Sequence, residues 1–140
     1  MKILMVCLGN ICRSPLAEGI IKAKLERFSG VIEVDSAGTG GWHSGEQPDA
    51  RSIKVARLNG IDISGQRARQ VQLDDFKRFD LIFAMDLSNY KHLINLAEDV
   101  DKHKIFLFLE FAGLGLQDVP DPWYGEPADF ESVYKLLDKS

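Results

Sequence analysis

Cys7 and Arg13 stand with five residues between them, and Ser14 follows the arginine directly. An apolar run over residues 2–6 leads into the cysteine, and a helix-like pattern follows the serine. The segment Cys7-Leu8-Gly9-Asn10-Ile11-Cys12-Arg13-Ser14-Pro15 is therefore predicted to be a tight loop between a strand and a helix. In such a loop the backbone N–H groups of Leu8, Gly9, Asn10, Ile11, Cys12, Arg13 and Ser14 can converge on one spot, where the helix N-terminus adds partial positive charge. A thiol at that spot is expected to ionise, because the field that favours a bound anion also favours a thiolate. Arg13 adds a planar fork of donors suited to bidentate phosphate binding. A nucleophilic sulfur on the floor of an anion cradle points to thiol-based phosphate-ester hydrolysis. The competing reading makes both loop cysteines inert small hydrophobes. Gly9 and Asn10 tolerate the left-handed backbone that such a turn needs. Ser14 can donate its hydroxyl toward Cys7, or it can act as a helix N-cap.

A phosphatase of this kind also needs a group that protonates the leaving oxygen and later activates water. The candidate is Asp121, in Val119-Pro120-Asp121-Pro122-Trp123-Tyr124-Gly125. The flanking prolines stiffen the backbone around it, and the aromatic residues just after it could wall an aryl substrate. The alternative is an ordinary turn aspartate.

Strands are predicted over residues 2–8, 31–37, 80–85 and 104–108. Helices are predicted from Pro15 to about residue 28, over 48–58, 73–79 and 86–97 (with Asp86 or Ser88 near the start), and over 128–139. Residues 38–47, 61–72 and 113–126 read as loops. Alternating strands and helices favour a single α/β domain spanning residues 1–140, a three-layer sandwich in which a four-stranded parallel sheet carries helices on both faces. The phosphate-binding loop follows strand 1, at the carboxyl end of the sheet, where ligands bind in such folds.

Composition limits the alternatives. The 140 residues are 45% hydrophobic and 27% charged, ordinary for a globular domain. Seventeen basic residues against 21 acidic ones give a net charge of −4, so no general nucleic-acid footprint is expected. The opening apolar run is too short for a membrane span and is not followed by a signal-like cleavage site, so a cytoplasmic protein is expected, with no membrane association. Only two cysteines occur, Cys7 and Cys12, and a reducing compartment would keep both as thiols. His43, His92 and His103 are scattered and read as surface residues, so no metal or other cofactor is expected. Asp74-Asp75 reads as a short-helix cap rather than a catalytic pair. Arg67 and Arg69 read as solvated charge, with contact to an acidic partner as the alternative.

Cys7 to Pro15 together with Asp121-Pro122-Trp123-Tyr124-Gly125 resembles the low-molecular-weight protein tyrosine phosphatases. The stretches Asp35-Ser36-Ala37-Gly38-Thr39, Arg67-Ala68-Arg69-Gln70 and Ala84-Met85-Asp86-Leu87-Ser88-Asn89 extend that resemblance over nearly the whole chain. The resemblance implies Cys7 as nucleophile, Arg13 as phosphate clamp and Asp121 as general acid and base. It implies that Asn10 and Ser36 shape the loop, that Ser14 assists the thiolate, and that Cys12 can form a reversible disulfide with Cys7. It implies that Trp42, Trp123 and Tyr124 line the mouth of the site, although Trp42 could equally be a half-exposed loop aromatic. The implied partners are phosphotyrosine-containing proteins, with phosphate or other oxyanions as product or inhibitor, and the implied state is a monomer or weak dimer. Two departures stand out. Trp123 replaces the first of two adjacent tyrosines common in relatives from higher organisms, and Gln66-Arg67 occupies a region where many relatives carry a histidine.

Three rivals share this cradle. An arsenate reductase would need further cysteines to relay a disulfide, and none follows Cys12. A phosphocysteine carrier would have no use for Asp121, and a silent phosphopeptide-binding module would need none of Cys7, Arg13 and Asp121 as a set.

Overall fold

The computed structural model describes residues 1–26, 30–113, 118–120, 122 and 134. Four strands, β1 (Lys2–Cys7), β2 (Glu33–Gly38), β3 (Leu81–Ala84) and β4 (Ile105–Leu107), form one sheet in the order β2-β1-β3-β4. Every pairing is parallel, with Met5 of β1 opposite Ser36 on one side and Phe83 on the other. The predicted class is therefore observed.

The period-two alternation of β1 divides the core. Ile3, Met5 and Cys7 face α1 (Arg13–Lys24) and α2 (Ala50–Leu58), joining Leu16, Ile20, Val55, Ala56 and Ile63. Leu4 and Val6 face the other side, where Phe76 of α3 (Asp75–Arg78) and Leu93 of α4 (Leu87–Leu96) meet Ile82 and Ile105. β1 is buried on both faces because it lies inside the sheet with helices above and below, which explains its unbroken apolar run.

The boundaries differ from the sequence reading in physically informative ways. β1 ends at Cys7, because the Leu8 carbonyl leaves the ladder and accepts from Gly40 N–H at 2.9 Å. β2 begins and ends later than expected, at Glu33 and Gly38, since its register is set by pairing with Lys2 to Cys7. α1 closes at Lys24, short of the predicted residue 28, where its last turn carries Lys22 and Lys24 against the helix dipole. Asp49 caps α2 through Arg51 N–H, which moves that start from 48 to 50. α3 is shorter than predicted at both ends. β4 stops at Leu107 because the chain turns into a short helix, α5 (Phe108–Phe111), and a 3₁₀ segment over Asp99–Lys104 precedes it. The predicted last helix, residues 128–139, lies outside the described residues apart from Tyr134. No helix among the described residues is long and apolar enough to cross a membrane.

Candidate active site

The loop between β1 and α1 turns at Asn10, the only non-glycine residue with positive φ (58°) among those described. Three of its carbonyls are bound by other segments. The Cys7 oxygen accepts from Thr39 N–H at 2.9 Å, the Leu8 oxygen from Gly40 N–H, and the Ile11 oxygen from Asp49 N–H at 2.7 Å. Gly38 permits the close approach: a Cβ there would lie 2.7 Å from the Leu8 oxygen. With these carbonyls bound elsewhere, Asn10 N–H donates to Cys7 Sγ at 3.3 Å.

Cys7 is a free thiol, 2% exposed, at the carboxyl end of the central strand. Ser14 Oγ lies 3.0 Å from its sulfur. The helix begins at Arg13 with Cys12 in the cap position, so Ser14 is inside the first turn and is not the N-cap. Of its two candidate roles, contact with Cys7 is the one observed. Asn10 Nδ2 donates to Ser14 Oγ at 2.8 Å and to Ser36 Oγ at 2.9 Å, and Ser36 donates to the buried Glu18 carboxylate at 2.6 Å.

Arg13 is 2% exposed, and its Nη1 donates to Asp86 Oδ2 and, at 3.0 Å, to the Val119 carbonyl. Asp86 has a second task, accepting from Asn89 N–H at 2.7 Å as the cap of α4. Removing Asp86 would leave a largely desolvated cation short of its partner, a loss of about 3–5 kcal/mol for pairs of this kind. Val119 is pinned a second time, its N–H donating to the Met85 carbonyl at 2.7 Å, and Asp118 accepts from Leu87 N–H. The segment that leads to Asp121 is thus fastened to Arg13. Asp121, Trp123 and Tyr124 themselves lie outside the described residues.

Trp42 is 73% exposed on the loop after β2, more open than a half-exposed aromatic. Its ring lies so close over Gly40 that a Cβ there would fall 2.0 Å from it, and Gly40 N–H is itself bonded to Leu8 of the loop between β1 and α1. His43 packs against Gly9 and pairs through Nδ1 with Glu46 at 2.9 Å, so it is no ordinary surface histidine. No group of three or more histidine, cysteine or acidic residues suited to a metal occurs among the described residues.

Two readings need correction. Arg69 is not solvated charge: its guanidinium bridges Asp75 at 2.9 Å and Asp35 at 3.1 Å. Burial opposes its charge, but the hydrogen bonds and fields of Asp75 and Asp35 outweigh that and raise its pKa above the ordinary arginine value. Asp74 holds the N-cap position of α3 without a side-chain cap bond, whereas Asp75, 1% exposed, accepts from Gln72 N–H and Arg69. Arg67 is exposed and bonds the carbonyls of Ser64 and Gln66. Sequence reasoning missed the roles of Asp86 and Glu18. Both partnerships join residues far apart in sequence, and only a charged residue inside an otherwise small or apolar stretch hinted at them.

The family model described as low molecular weight phosphotyrosine protein phosphatase matches residues 2–140. A Schizosaccharomyces pombe protein named low molecular weight phosphotyrosine protein phosphatase is 41% identical, covering 99% of this chain and 92% of its own. The Bacillus subtilis low molecular weight protein-tyrosine-phosphatase YfkJ is 42% identical, covering 96% of this chain and 87% of its own. A crystal structure of a protein tyrosine phosphatase from Entamoeba histolytica, with Hepes in its active site, superposes with a TM-score of 0.94 at 41% identity, covering 99% of this chain and 90% of its own.

Proposed function

The chain belongs to the low molecular weight phosphotyrosine protein phosphatases, and from that premise we propose that it hydrolyses phosphotyrosine esters through a phosphocysteine on Cys7. The observation that carries the proposal is the sulfur of Cys7, which receives Asn10 N–H and touches Ser14 Oγ in a loop whose Cys7, Leu8 and Ile11 carbonyls are bound elsewhere.

In the first step the thiolate attacks phosphorus in line, forming the S–P bond as the P–O bond breaks. Loop amides and the Arg13 guanidinium hold the equatorial oxygens, where charge accumulates. Asp121 delivers its proton to the tyrosine oxygen. In the second step water attacks the phosphocysteine, giving its proton to the Asp121 carboxylate, and inorganic phosphate leaves as the sulfur regains its electron pair. Support for Asp121 is its sequence neighbourhood together with the tethering of Val119, two residues before it, to Arg13. Backbone dipoles and Arg13 supply the positive field, so the mechanism calls for no metal.

Selectivity follows from depth. Cys7, 2% exposed, lies too deep for a short serine phosphate but within reach of a phosphotyrosine, and Trp42, Trp123 and Tyr124 are the residues proposed to meet its ring. Phosphotyrosine-containing proteins are accordingly the substrates, phosphate and related oxyanions the product-like inhibitors, and the 140 residues act as one catalytic unit in the cytoplasm, as a monomer or weak dimer.

The test is turnover of aryl against alkyl phosphates in the presence of a chelator. The aryl ester is expected to be cleaved with a bell-shaped pH profile on the acidic side of neutral, since Cys7 has to be ionised while Asp121 is protonated. A rate that climbs steadily into the alkaline range, or equal cleavage of a serine phosphate, would contradict the assignment. An arsenate reductase is disfavoured by the lack of any cysteine beyond Cys12. A phosphoryl carrier would show one equivalent of labelling and no turnover.

Cys12 is proposed as the protector of Cys7. Cys7 and Cys12 are the two buried cysteines of one loop, and neither is in a disulfide. Peroxide is expected to convert Cys7 to a sulfenic acid, which Cys12 then captures as a disulfide with loss of water. Activity should return with dithiothreitol, and Cys12→Ser should convert most of that loss into irreversible loss. Equal recovery in both proteins would remove Cys12 from this role.

A further inference from the structure

The hydrogen bonds behind the phosphate loop have a direction, and the direction can be assigned. A backbone N–H can only donate, and the N–H of Arg69 points at Asn10 Oδ1 at 3.0 Å. That contact fixes which end of the Asn10 amide carries oxygen. Both hydrogens of Nδ2 then go to hydroxyl oxygens, Ser14 at 2.8 Å and Ser36 at 2.9 Å. Ser36, its oxygen occupied, sends its own hydrogen to Glu18 at 2.6 Å. Ser14 has two acceptors within reach, the Cys7 sulfur at 3.0 Å and the Ala37 carbonyl at 3.5 Å, and the shorter contact is to sulfur. A flipped Asn10 amide would set two donors against each other at Arg69 and would let Ser14 spend its hydrogen on Asn10 instead of Cys7.

The position of the Arg69 N–H therefore matters for Asn10, 59 residues earlier in the chain, and through it for the chemistry at Cys7. The backbone there is paired with Gly38, whose N–H donates to the Arg69 carbonyl at 2.8 Å. The side chain adds a second hold, reaching Asp35 on β2 and Asp75 on α3. Those two carboxylates are the charged groups that face the guanidinium, with Arg78 3.7 Å from the other oxygen of Asp75.

We propose that Arg69 is a positioning residue for the phosphatase reaction: clamped between Asp35 and Asp75, it fixes the N–H that orients Asn10, and through Asn10 it directs the Ser14 hydrogen onto the Cys7 sulfur. The inference rests on Cys7 being the nucleophile. It assigns a task to a residue that touches neither phosphate nor sulfur.

The experiment follows Cys7 alkylation by iodoacetate against pH in the full-length protein, with the modified residue identified by peptide mass, beside steady-state kinetics on p-nitrophenyl phosphate. Arg69→Gln is expected to move the alkylation midpoint upward by about one pH unit, the scale of one hydrogen bond lost to a charged acceptor. It should lower kcat by about tenfold while KM changes less than about threefold, because the interaction favours the reacting thiolate more than bound substrate. Arg69→Lys should restore part of both. The decisive comparison is with Ser14→Ala: if Arg69 acts through Ser14, adding Arg69→Gln to that variant shifts the midpoint no further. A folded Arg69→Gln protein with a parental midpoint and kcat, or shifts that add in full in the double variant, overturns the clamp. Should Arg69→Gln fail to fold, Asp35→Asn is read instead, since that side chain is 48% exposed and its loss is milder. A shift that vanishes in the Ser14→Ala background supports the proposal, and an unmoved midpoint overturns it. Absence of aryl-phosphate turnover in the parent would sink the reading of Cys7 itself, a failure distinct from either of these.

Discussion

Cys7→Ser is expected to reduce aryl-phosphate turnover by roughly five to six decades, the scale on which loss of a covalent nucleophile acts. The substitution is close to isosteric, and it keeps a group that can accept from Asn10 N–H and meet Ser14, so the loop should retain its shape. What disappears is the soft anion. Among the described residues no carboxylate or imidazole is hydrogen-bonded at position 7, where the side-chain neighbour is Ser14, so a serine hydroxyl there is not activated as the thiol is. The variant should therefore bind phosphate about as well as the parent while cleaving essentially nothing. Melting temperature and phosphate competition would establish folding and binding, and p-nitrophenol release would read the chemistry. Residual turnover within tenfold of the parent would eliminate Cys7 as nucleophile. The same variant offers a trap, since a phosphotyrosine protein that enters the site and is not turned over remains bound long enough to be recovered from lysate.

The features of this site legible from sequence are those that local spacing encodes. Cys7, Asn10, Arg13 and Ser14 lie within one loop, and a strand-loop-helix pattern is enough to bring them together. The sheet was equally legible, because β1 is apolar on both faces and β3 repeats the pattern, as parallel strands covered on both sides require. What local pattern could not encode were the partners of those residues. Asp86 reads as a helix cap, which it is, and nothing nearby in sequence tells that its second oxygen holds an arginine 73 residues away. Glu18 sits within a helix that otherwise buries its first two turns, and only the fold shows that its carboxylate ends a hydrogen-bond chain begun at Arg69. Ser14 looked equally able to cap a helix. The cap position fell instead to Cys12, because the turn at Asn10 winds tightly enough for the helix to start at Arg13. The differences at the strand ends come from pairing: β2 takes its limits from β1, and β4 yields to α5 after Leu107, which faces the last residue of β3, Ala84.

Asp121→Asn carries the other large expected effect. A general acid that also serves as general base contributes about two to four decades, and the amide can do neither task. The size of the loss should depend on the leaving group. With p-nitrophenyl phosphate the departing oxygen needs little protonation, so the first step suffers least and the second, hydrolysis of phosphocysteine, becomes limiting. The variant should then accumulate labelled Cys7 after rapid acid quench, at close to one equivalent. With phosphotyrosine peptide, whose leaving oxygen is far more basic, the first step should limit and no labelled protein should build up. The pH profile supplies an independent reading. In the parent the rate falls on the alkaline side as the acid loses its proton, and in Asp121→Asn that fall should disappear while the rise attributed to Cys7 ionisation remains. An Asn variant that keeps both limbs, or loses less than tenfold on the peptide, would transfer the acid role elsewhere. Of the described acidic residues around Val119, Asp86 is engaged by Arg13 and Asn89 N–H, and Asp118 by Leu87 N–H. Asp121 is the acid proposed here because it follows two residues after Val119, whose carbonyl is held by Arg13.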